Sequence, residues 1–235
     1  GVHFVNVTDN QSSVMRLGSL ATCKVLKDAG LNPIFQLTCR DRNRIALQSD
    51  LLSAAMLGID NILCLTGDHT KLGDHPQAKP VFDLDSVSLL HTASLLETGK
   101  DLGGNDLVGE PPKFAKGAVV SPCSDSVDAQ LVKMERKVKA GAEYFQTQAV
   151  FEPEKFIKFM EAAKQFGKPV ISFQNSQFKV AEMQTKIDAA RLMTWRAAIA
   201  EDNHEVFGPL AAMAKLMASD VAVEVTRFAV QLMGG

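Results

Sequence analysis

Residues 61–68, NILCLTGD, form an apolar run that ends in small and polar residues, and the fold prediction rests on this pattern. Five further runs of the same kind recur along the chain, separated by stretches with the 3.6-residue apolar period of a helix. Strands this apolar are typical of a parallel sheet that helices cover. The predicted strands are residues 2–8, 33–39, 61–68, 115–122, 143–150 and 169–173.

Helices are predicted between and after these strands, and a glycine lies near the end of each. Glycine just past the last helical turn is the usual left-handed terminator. The alternation of strand and helix is interrupted by one long connection, residues 68–114, which holds many of the glycines and prolines. The predicted helices are residues 14–29, 42–57, 84–97, 125–140 and 153–166, and the terminators are Gly30, Gly58, Gly99, Gly141 and Gly167.

This alternation fits either a doubly wound sheet or a barrel, and both folds place their chemistry at the carboxyl ends of the strands. No G-x-G-x-x-G or P-loop sequence follows any predicted strand, which argues against the common dinucleotide-binding sheets. A (β/α) barrel is therefore favoured. The length of 235 residues is slightly below the ~250 residues typical of a complete barrel.

Composition limits the function. The chain has 46% hydrophobic residues, 22% charged residues and a net charge of −2, which disfavours nucleic acid or a membrane surface as the main partner. It contains neither an apolar run of membrane-spanning length nor a signal-peptide pattern, so a cytoplasmic location is expected. The four cysteines and five histidines show no metal-ligand spacing. No metal site is predicted, and the cysteines are expected to be reduced, mostly buried thiols.

From residue 174 onward the chain becomes rich in alanine and methionine, and two long helices are predicted at residues 174–201 and 208–233. Such a pair is typical of an antiparallel helical hairpin that needs a further partner surface. The second helix carries an apolar seam with steps of three and four residues. Its members are Leu210, Ala214, Met217, Val221, Val225, Phe228 and Leu232.

Two polar residues at strand ends are candidates for chemistry. Asp68 follows Gly67 at the end of an apolar strand, where its carboxylate could orient a polar ring, assist proton transfer, or simply cap the next turn. Gln148 ends another apolar run and requires hydrogen-bond partners, either in a ligand or within the fold. The segment CRDRNR, residues 39–44, suits a phosphate site or, more simply, a salt-bridged turn.

These motifs carry a family resemblance. NPIFQLTCRDRN, LTGDHTKLGDHPQAKPVFDLDS and MERKVKAGAEYFQTQAVFEPEKFIKFM, in this order, resemble the methylenetetrahydrofolate reductases, and VNVTDN is compatible with them. The resemblance implies a β/α barrel that binds FAD at its carboxyl face. Reduced nicotinamide, NADH or NADPH, or another electron-donor protein would reduce the flavin. The flavin would then reduce 5,10-methylenetetrahydrofolate to 5-methyltetrahydrofolate, in the one-carbon metabolism that serves methionine biosynthesis.

The resemblance also assigns roles to individual positions. Asp68 matches the aspartate beside the flavin ring and the folate pterin, and Gln148 matches the glutamine that contacts substrate. Gln36 and Ser121 stand where members of the family have histidine or tyrosine, so those two contacts are not carried over. The remaining cofactor-binding positions implied by the resemblance are Thr8, Thr38, Thr66, Gly67, Phe82 and Lys137.

A second resemblance covers the end of the chain. FGKPVISFQNSQFKVAEMQTKIDAARLMTWRAA and FGPLAAMAKLMASDVAVEVTRFAVQLMGG are similar to the carboxyl-terminal helical domain of acyl-CoA dehydrogenases. The two resemblances predict a methylenetetrahydrofolate reductase-like barrel at residues 1–172 and a helical segment at residues 173–235. The positions that resemble those near the cofactor in acyl-CoA dehydrogenases are Phe173, Gln174, Gln231, Gly234 and Gly235.

The expected fold is therefore α/β, an incomplete TIM-type (β/α) barrel followed by a long α-helical hairpin. The family's first strand carries a glutamate thought to act as general acid, and this sequence begins on what resembles the second strand. An open parallel sheet exposes unpaired backbone groups at its edges, so the hairpin, an oligomer or a partner chain is expected to cover them. The alternatives to an active reductase are a non-catalytic interaction subunit, a composite or truncated chain, and an acyl-CoA dehydrogenase fragment.

Overall fold

The computed structural model describes residues 4–150, 152–165, 168–169 and 174–232. Strands and helices alternate up to residue 162, and two short strands and two long helices follow. The strands are β1 (Val5–Val7), β2 (Pro33–Thr38), β3 (Asn61–Leu65), β4 (Ala115–Val120), β5 (Tyr144–Thr147), β6 (Lys164–Gln165) and β7 (Lys168–Pro169). The helices are α1 (Ser19–Asp28), α2 (Arg44–Met56), α3 (Ser86–Glu97), α4 (Val127–Lys139), α5 (Pro153–Ala162), α6 (Gln174–Asp202) and α7 (Gly208–Leu232).

The first five strands form one parallel sheet in chain order, β1-β2-β3-β4-β5. Although β1 and β5 lie at opposite ends of this order, Asn6 Nδ2 donates to Gln146 Oε1 at 3.0 Å. In a flat sheet, four spacings of about 4.8 Å would separate the two strands by about 19 Å. The sheet is therefore curled into a half-barrel. The expected α/β architecture with a following helix pair is confirmed.

The strand register defines the two faces of this sheet. Asn6 pairs with Ile34, and Ile34 pairs with Asn61, so these side chains lie on one face together with Gln36, two residues further along β2. This is the concave face, because Asn6 reaches Gln146 across it. The opposite face is mostly apolar and buried. Its apolar members include Phe35, Leu37, Ile62, Cys64 and Ala118. The buried Lys116 lies on it as well, since it pairs in register with Ile62, and it forms ion pairs with Glu97 and Glu143.

Tyr144 on β5 fills part of the concave side. Its hydroxyl donates to the carbonyl oxygen of Ile62 on β3 at 2.9 Å, so the ring crosses the intervening strand β4. Gly117 on β4 lies directly beneath, and a Cβ atom there would collide with the Tyr144 ring. Burial raises the pKa of the Tyr144 phenol, which therefore stays protonated as a donor. The glycine and the tyrosine form one packing unit.

The helix boundaries follow the predicted pattern with two corrections. The helix expected at residues 14–29 begins only at Ser19, because Val14 and Gly18 have ψ angles of 131° and 134°, which are outside the helical region. The helix expected at residues 153–166 ends at Ala162, and Lys164–Gln165 form a strand instead. The predicted terminators Gly30, Gly58, Gly99 and Gly141 all have positive φ, as expected, and Gly167 lies outside the described residues.

The predicted strand at residues 169–173 lies outside the described residues except for Pro169, which is in the short antiparallel pair β6-β7. By internal contacts the chain divides into two compact units, residues 1–119 with 132–146, and residues 120–131 with 147–235. The predicted domain boundary at residues 172 and 173 stays a prediction. Among the described helices, none combines the length and apolarity needed to cross a membrane.

In the second unit, α6 and α7 pack along each other. Small and medium apolar side chains fill the seam, and the predicted seam residues Ala214, Val221 and Val225 are buried in it. Lys186 on α6 forms an ion pair with Glu224 on α7. The ammonium of Lys179 lies 4.3 Å from the centre of the Phe228 ring.

The contact between Gly117 and Tyr144 predicts a strong coupling. We expect Gly117→Ala to lower the free energy of unfolding by about 3 kcal/mol, because the added methyl overpacks a rigid ring. The same change in a Tyr144→Val background should cost much less, because the ring is gone. Gly18→Ala is the matched control, since nothing lies near its Cβ position. Urea unfolding of the four variants measures the coupling. If Gly117→Ala lowered the free energy of unfolding equally in both backgrounds, the proposed coupling between Gly117 and Tyr144 would be wrong.

Candidate functional site

A buried carboxylate joins the carboxyl ends of β1 and β2. Asp9, two residues past β1, is 2% exposed. Its Oδ2 atom accepts hydrogen bonds from the Thr38 amide and the Thr38 hydroxyl, both at 2.9 Å, and from Arg42 Nη1 at 2.7 Å. Arg42 Nε in turn lies 2.9 Å from Asp50 on α2. Because a buried charge is stable only when paired and hydrogen-bonded, these contacts fix the two strand ends together.

A buried guanidinium extends this network to β3. Arg40 is 2% exposed. It binds the Asp41 carboxylate through Nε at 2.8 Å and Nη2 at 2.7 Å, and Nη2 also donates to the Asn10 carbonyl at 3.2 Å. Nη1 donates to the Asp68 carbonyl at 3.4 Å. One side chain on the loop after β2 thus contacts the loops after β1 and β3.

The charges of this network show the effects of pairing and burial. The hydrogen bond from Arg40 lowers the pKa of Asp41, and the same bond raises the pKa of Arg40. Burial raises the pKa of Asp50. Burial also raises the pKa of the neighbouring thiol of Cys39 to about 12. The segment CRDRNR is therefore the salt-bridged turn that was one of its two expected roles.

The turn after β3 presents Asp68. Thr66 Oγ1 accepts the Ser86 amide at 3.1 Å and so supports the start of α3. Gly67 has φ +91°, and a Cβ atom there would lie 3.2 Å from Arg40 Cβ and 3.3 Å from Thr38 Cβ. Its left-handed conformation and this close approach both require glycine. The side chain of Asp68 is exposed, while the backbone around it is closely packed.

The long connection after β3 is attached to this edge of the sheet. Arg44 binds Asp83 through Nε and Nη2, both at 2.9 Å, and this hydrogen bonding lowers the pKa of Asp83 to about 2. Phe82 has φ +43°, and its amide donates to the Cys39 carbonyl at 3.2 Å. Its half-buried ring lies 6.4 Å from the ring of His69. Phe82 is therefore held in a strained backbone position beside the turn.

Three further predicted site residues lie apart from this turn. Thr8 is exposed and lines an open cleft of about 400 Å³ with Ser12, Arg16 and others. Lys137 donates to the Val119 carbonyl at 2.5 Å, and burial lowers its pKa. Gln148 lies one residue past β5, is exposed, and donates its amide to the Val120 carbonyl at 2.9 Å.

The predicted residues are thus brought together in part. Thr38, Gly67 and Asp68 meet around Arg40, and Thr66 adjoins them in the chain. Gln148 belongs to the second compact unit and Asp68 to the first. Sequence reasoning missed the roles of Asp9 and of Arg40 as an individual residue. An acidic residue directly after an apolar strand and the alternation of arginine and aspartate in CRDRNR were the available signals.

A parallel, curled β/α sheet with its polar and ionisable residues at the carboxyl ends of the strands belongs to the barrel-type class of α/β proteins, whose active sites lie at that edge. The sequence model of the family described as methylenetetrahydrofolate reductase matches residues 1–192, and the chain belongs to that family. The model for the acyl-CoA dehydrogenase C-terminal domain matches residues 154–235. Both resemblances are confirmed. Both families are typically FAD-dependent, so the chain consists of domains related to flavoprotein oxidoreductases.

Individual relatives match the end of the chain. The short-chain specific acyl-CoA dehydrogenase of Mus musculus is 44% identical over 79 residues, which cover 34% of this chain and 19% of the mouse protein. The short-chain specific acyl-CoA dehydrogenase of Megasphaera elsdenii is 43% identical over 79 residues, 34% of this chain and 21% of that protein. The chain spans about a fifth of the length of these curated relatives.

Among solved structures, the electron transferring flavoprotein of Acidaminococcus fermentans is 34% identical, with a TM-score of 0.34, over 46% of this chain and 27% of that chain. At this TM-score it does not define the fold. Of the positions that resemble acyl-CoA dehydrogenase cofactor contacts, Phe173, Gly234 and Gly235 lie outside the described residues. Gln174 and Gln231 are helical in backbone, at the two ends of the pair α6 and α7.

The contacts of Asp9 predict its importance for stability. We expect Asp9→Ala to lower the free energy of unfolding by about 3 kcal/mol, because it removes one partner of a buried charge pair and leaves Arg42 Nη1 and the Thr38 amide without their acceptor. Asp28→Ala is the control, since Asp28 forms an exposed ion pair with Lys24 on α1 and should change stability little. Urea unfolding compares the two variants. An Asp9 variant as stable as the Asp28 variant would contradict the assigned network.

Proposed function

We propose that the chain binds FAD at the carboxyl ends of the strands and uses it to reduce 5,10-methylenetetrahydrofolate to 5-methyltetrahydrofolate. Reduced nicotinamide or an electron-donor protein would supply the electrons. The observation that carries this proposal is the turn Thr66–Gly67–Asp68. It exposes a carboxylate on a closely packed backbone, at the sheet edge where barrel enzymes act, within the segment matched by the family.

The free hydrogen-bonding capacity at this edge is compatible with FAD. A threonine hydroxyl has one proton and two lone pairs, so Thr66, which accepts the Ser86 amide, keeps its proton for a ligand. Lys137 has three protons and uses one on the Val119 carbonyl. Thr8 is exposed. Thr38 is 3% exposed and donates its hydroxyl to Asp9, so its main role in the proposed site is to shape the edge.

Bound FAD would supply the two-electron chemistry of the reaction. The residues of the chain would bind and orient the reactants. Asp68 is proposed to hold the polar ring system by hydrogen bonds and to assist proton transfer, which a positioned carboxylate does efficiently. Phe82 is proposed to contact the adenosine side, Lys137 the phosphates, and Gln148 the folate.

Asp68 provides the direct test. We expect purified protein to bind FAD, and Asp68→Asn to slow the oxidation of the reduced flavin by 5,10-methylenetetrahydrofolate by roughly 10²–10⁴-fold, the range for loss of a general acid or base. Asp60→Asn is the matched control, because Asp60 is an exposed aspartate immediately before β3, at the opposite end of the same strand. Stopped-flow absorbance of the flavin measures both rates.

Two outcomes would overturn this function. Protein that binds no added FAD, as measured by flavin fluorescence titration, excludes the catalytic proposal for this chain. Flavin that is oxidised equally fast in the Asp68 and Asp60 variants removes Asp68 from the mechanism. Bleaching of bound FAD by acyl-CoA instead of folate would favour the alternative of an acyl-CoA dehydrogenase fragment.

A second candidate function is that of an interaction subunit, and a feature of α6 favours it. Leu192, Trp195 and Ile199 follow the three- and four-residue spacing of one helix face, and each is at least 58% exposed. Contiguous exposed apolar side chains of this size mark interaction sites in many proteins. We propose that this face packs against another copy of the chain or a partner chain.

Trp195 reports on this contact, because it is the only tryptophan in the chain. We expect an oligomer in size-exclusion chromatography with light scattering, and a blue shift of tryptophan emission as concentration rises. Ile199→Asp should shift the population towards monomer, whereas Val223→Asp, at an exposed apolar position on α7, serves as the comparison. A monodisperse monomer with water-exposed Trp195 emission at all concentrations would contradict the proposal.

A further inference from the structure

We infer that Arg40 is a positioning residue for Asp68. The guanidinium holds the peptide between Asp68 and His69 in place and thereby sets where the Asp68 carboxylate meets its ligand. This inference rests on the proposed function, which assigns the flavin chemistry to this edge of the sheet. Arg40 itself is buried, so it acts through Asp68 and does not reach a ligand directly.

Arg40 uses more hydrogen-bond donors than a salt bridge to one carboxylate needs. A guanidinium has five N–H groups, and four of those of Arg40 are used, two on Asp41 and one each on the carbonyls of Asn10 and Asp68. A salt bridge to Asp41 alone would need only two of them. The other two bind backbone atoms of different loops. Arg40 therefore locks the positions of the loops after β1 and β3 relative to β2.

The turn at Gly67 is closely packed against Arg40 and Thr38. The backbone of Gly67 lies directly against the side-chain stems of Arg40 and Thr38, at distances that would place an added Cβ 3.2 and 3.3 Å from them. Thr38 is itself fixed by two hydrogen bonds to Asp9. The turn thus rests on a surface that buried ion pairs keep rigid.

The backbone and the side chain of Asp68 have different surroundings. Its carbonyl oxygen contacts the buried guanidinium, whereas its carboxylate is exposed. A reactive group needs its backbone fixed and its functional atoms accessible, because displacement by about 1 Å costs up to 10²-fold in rate. The positive charge of Arg40 also attracts the Asp68 carboxylate from inside the fold.

Arg40→Lys tests the inference. Lysine keeps the charge but loses the planar fork, so it cannot bind Asp41 and both carbonyls together. In the FAD-free protein, we expect backbone amide order parameters at residues 67–69 to fall from about 0.85 towards 0.6. In the FAD-loaded protein, kcat for folate reduction should fall about 10- to 100-fold, with little change in KM. Ile62→Val, on β3 but on its apolar face, controls for a general loss of stability.

A double variant separates positioning from a merely structural role. If Arg40 acts through Asp68, Arg40→Lys should slow an Asp68→Asn enzyme no further. Gly67→Ala provides a second route if Arg40→Lys does not fold. It strains the turn at φ +91° by about 1–2 kcal/mol, and its added methyl presses on the stems of Arg40 and Thr38, so it should give the same loss of order and of kcat.

The outcomes are distinct. Additive effects of Arg40→Lys and Asp68→Asn, or unchanged order parameters at residues 67–69, overturn the role of Arg40 and leave the proposed function standing. A wild-type protein that does not bind FAD overturns the proposed function and the inference with it. Reduced order at the turn, a lower kcat and non-additivity together support the inference.

Discussion

The hydrogen bond between Asn6 on β1 and Gln146 on β5 shows that the sheet is curled, and the rest of the first unit depends on this curl. Five parallel strands in chain order bury one apolar face against helices and leave the other face to be enclosed by the sheet itself. The curl brings polar side chains together on the concave face and lets Tyr144 cross β4 to reach β3. It also draws the carboxyl ends of the strands towards one another, so the loops that follow them must share a small volume.

Buried charged side chains hold these loops together. Asp9 and Arg40 are each 2% exposed, and ions so buried are stable only with nearly complete hydrogen bonding. Their partners are therefore the neighbouring loops, with Asp9 joining β1 to Thr38 and Arg42, and Arg40 joining Asn10, Asp41 and Asp68. The hydrogen bonds that stabilise these buried charges also fix the backbone of the turn that presents Asp68. Stability and the geometry of the candidate site are coupled here.

Much of the fold could be predicted because its signals are local. The apolar runs predicted the five strands of the sheet, and the 3.6-residue period predicted the helices. The positive φ of Gly30, Gly58, Gly99 and Gly141 confirms the predicted helix terminators. The predicted start of α1 was wrong, because Val14 and Gly18 have ψ angles of 131° and 134°, outside the helical region, and the apolar spacing of the sequence does not indicate this. Asp68 was recognised from its position after an apolar strand. The functions of Asp9 and Arg40 were not, because they depend on which distant loops meet.

The family, the alternation of strands and helices up to α5 and the helix pair at the end of the chain all followed from the sequence, since periodicity and motifs are properties of neighbouring residues. Tertiary structure alone decided how tightly the sheet curls and which of three arginines in CRDRNR binds which carboxylate. It also decided that Thr38 serves Asp9 while Asp68 faces outward. The physical reason is that burial and hydrogen-bond partnership arise between segments far apart in the chain, so only the folded arrangement assigns them.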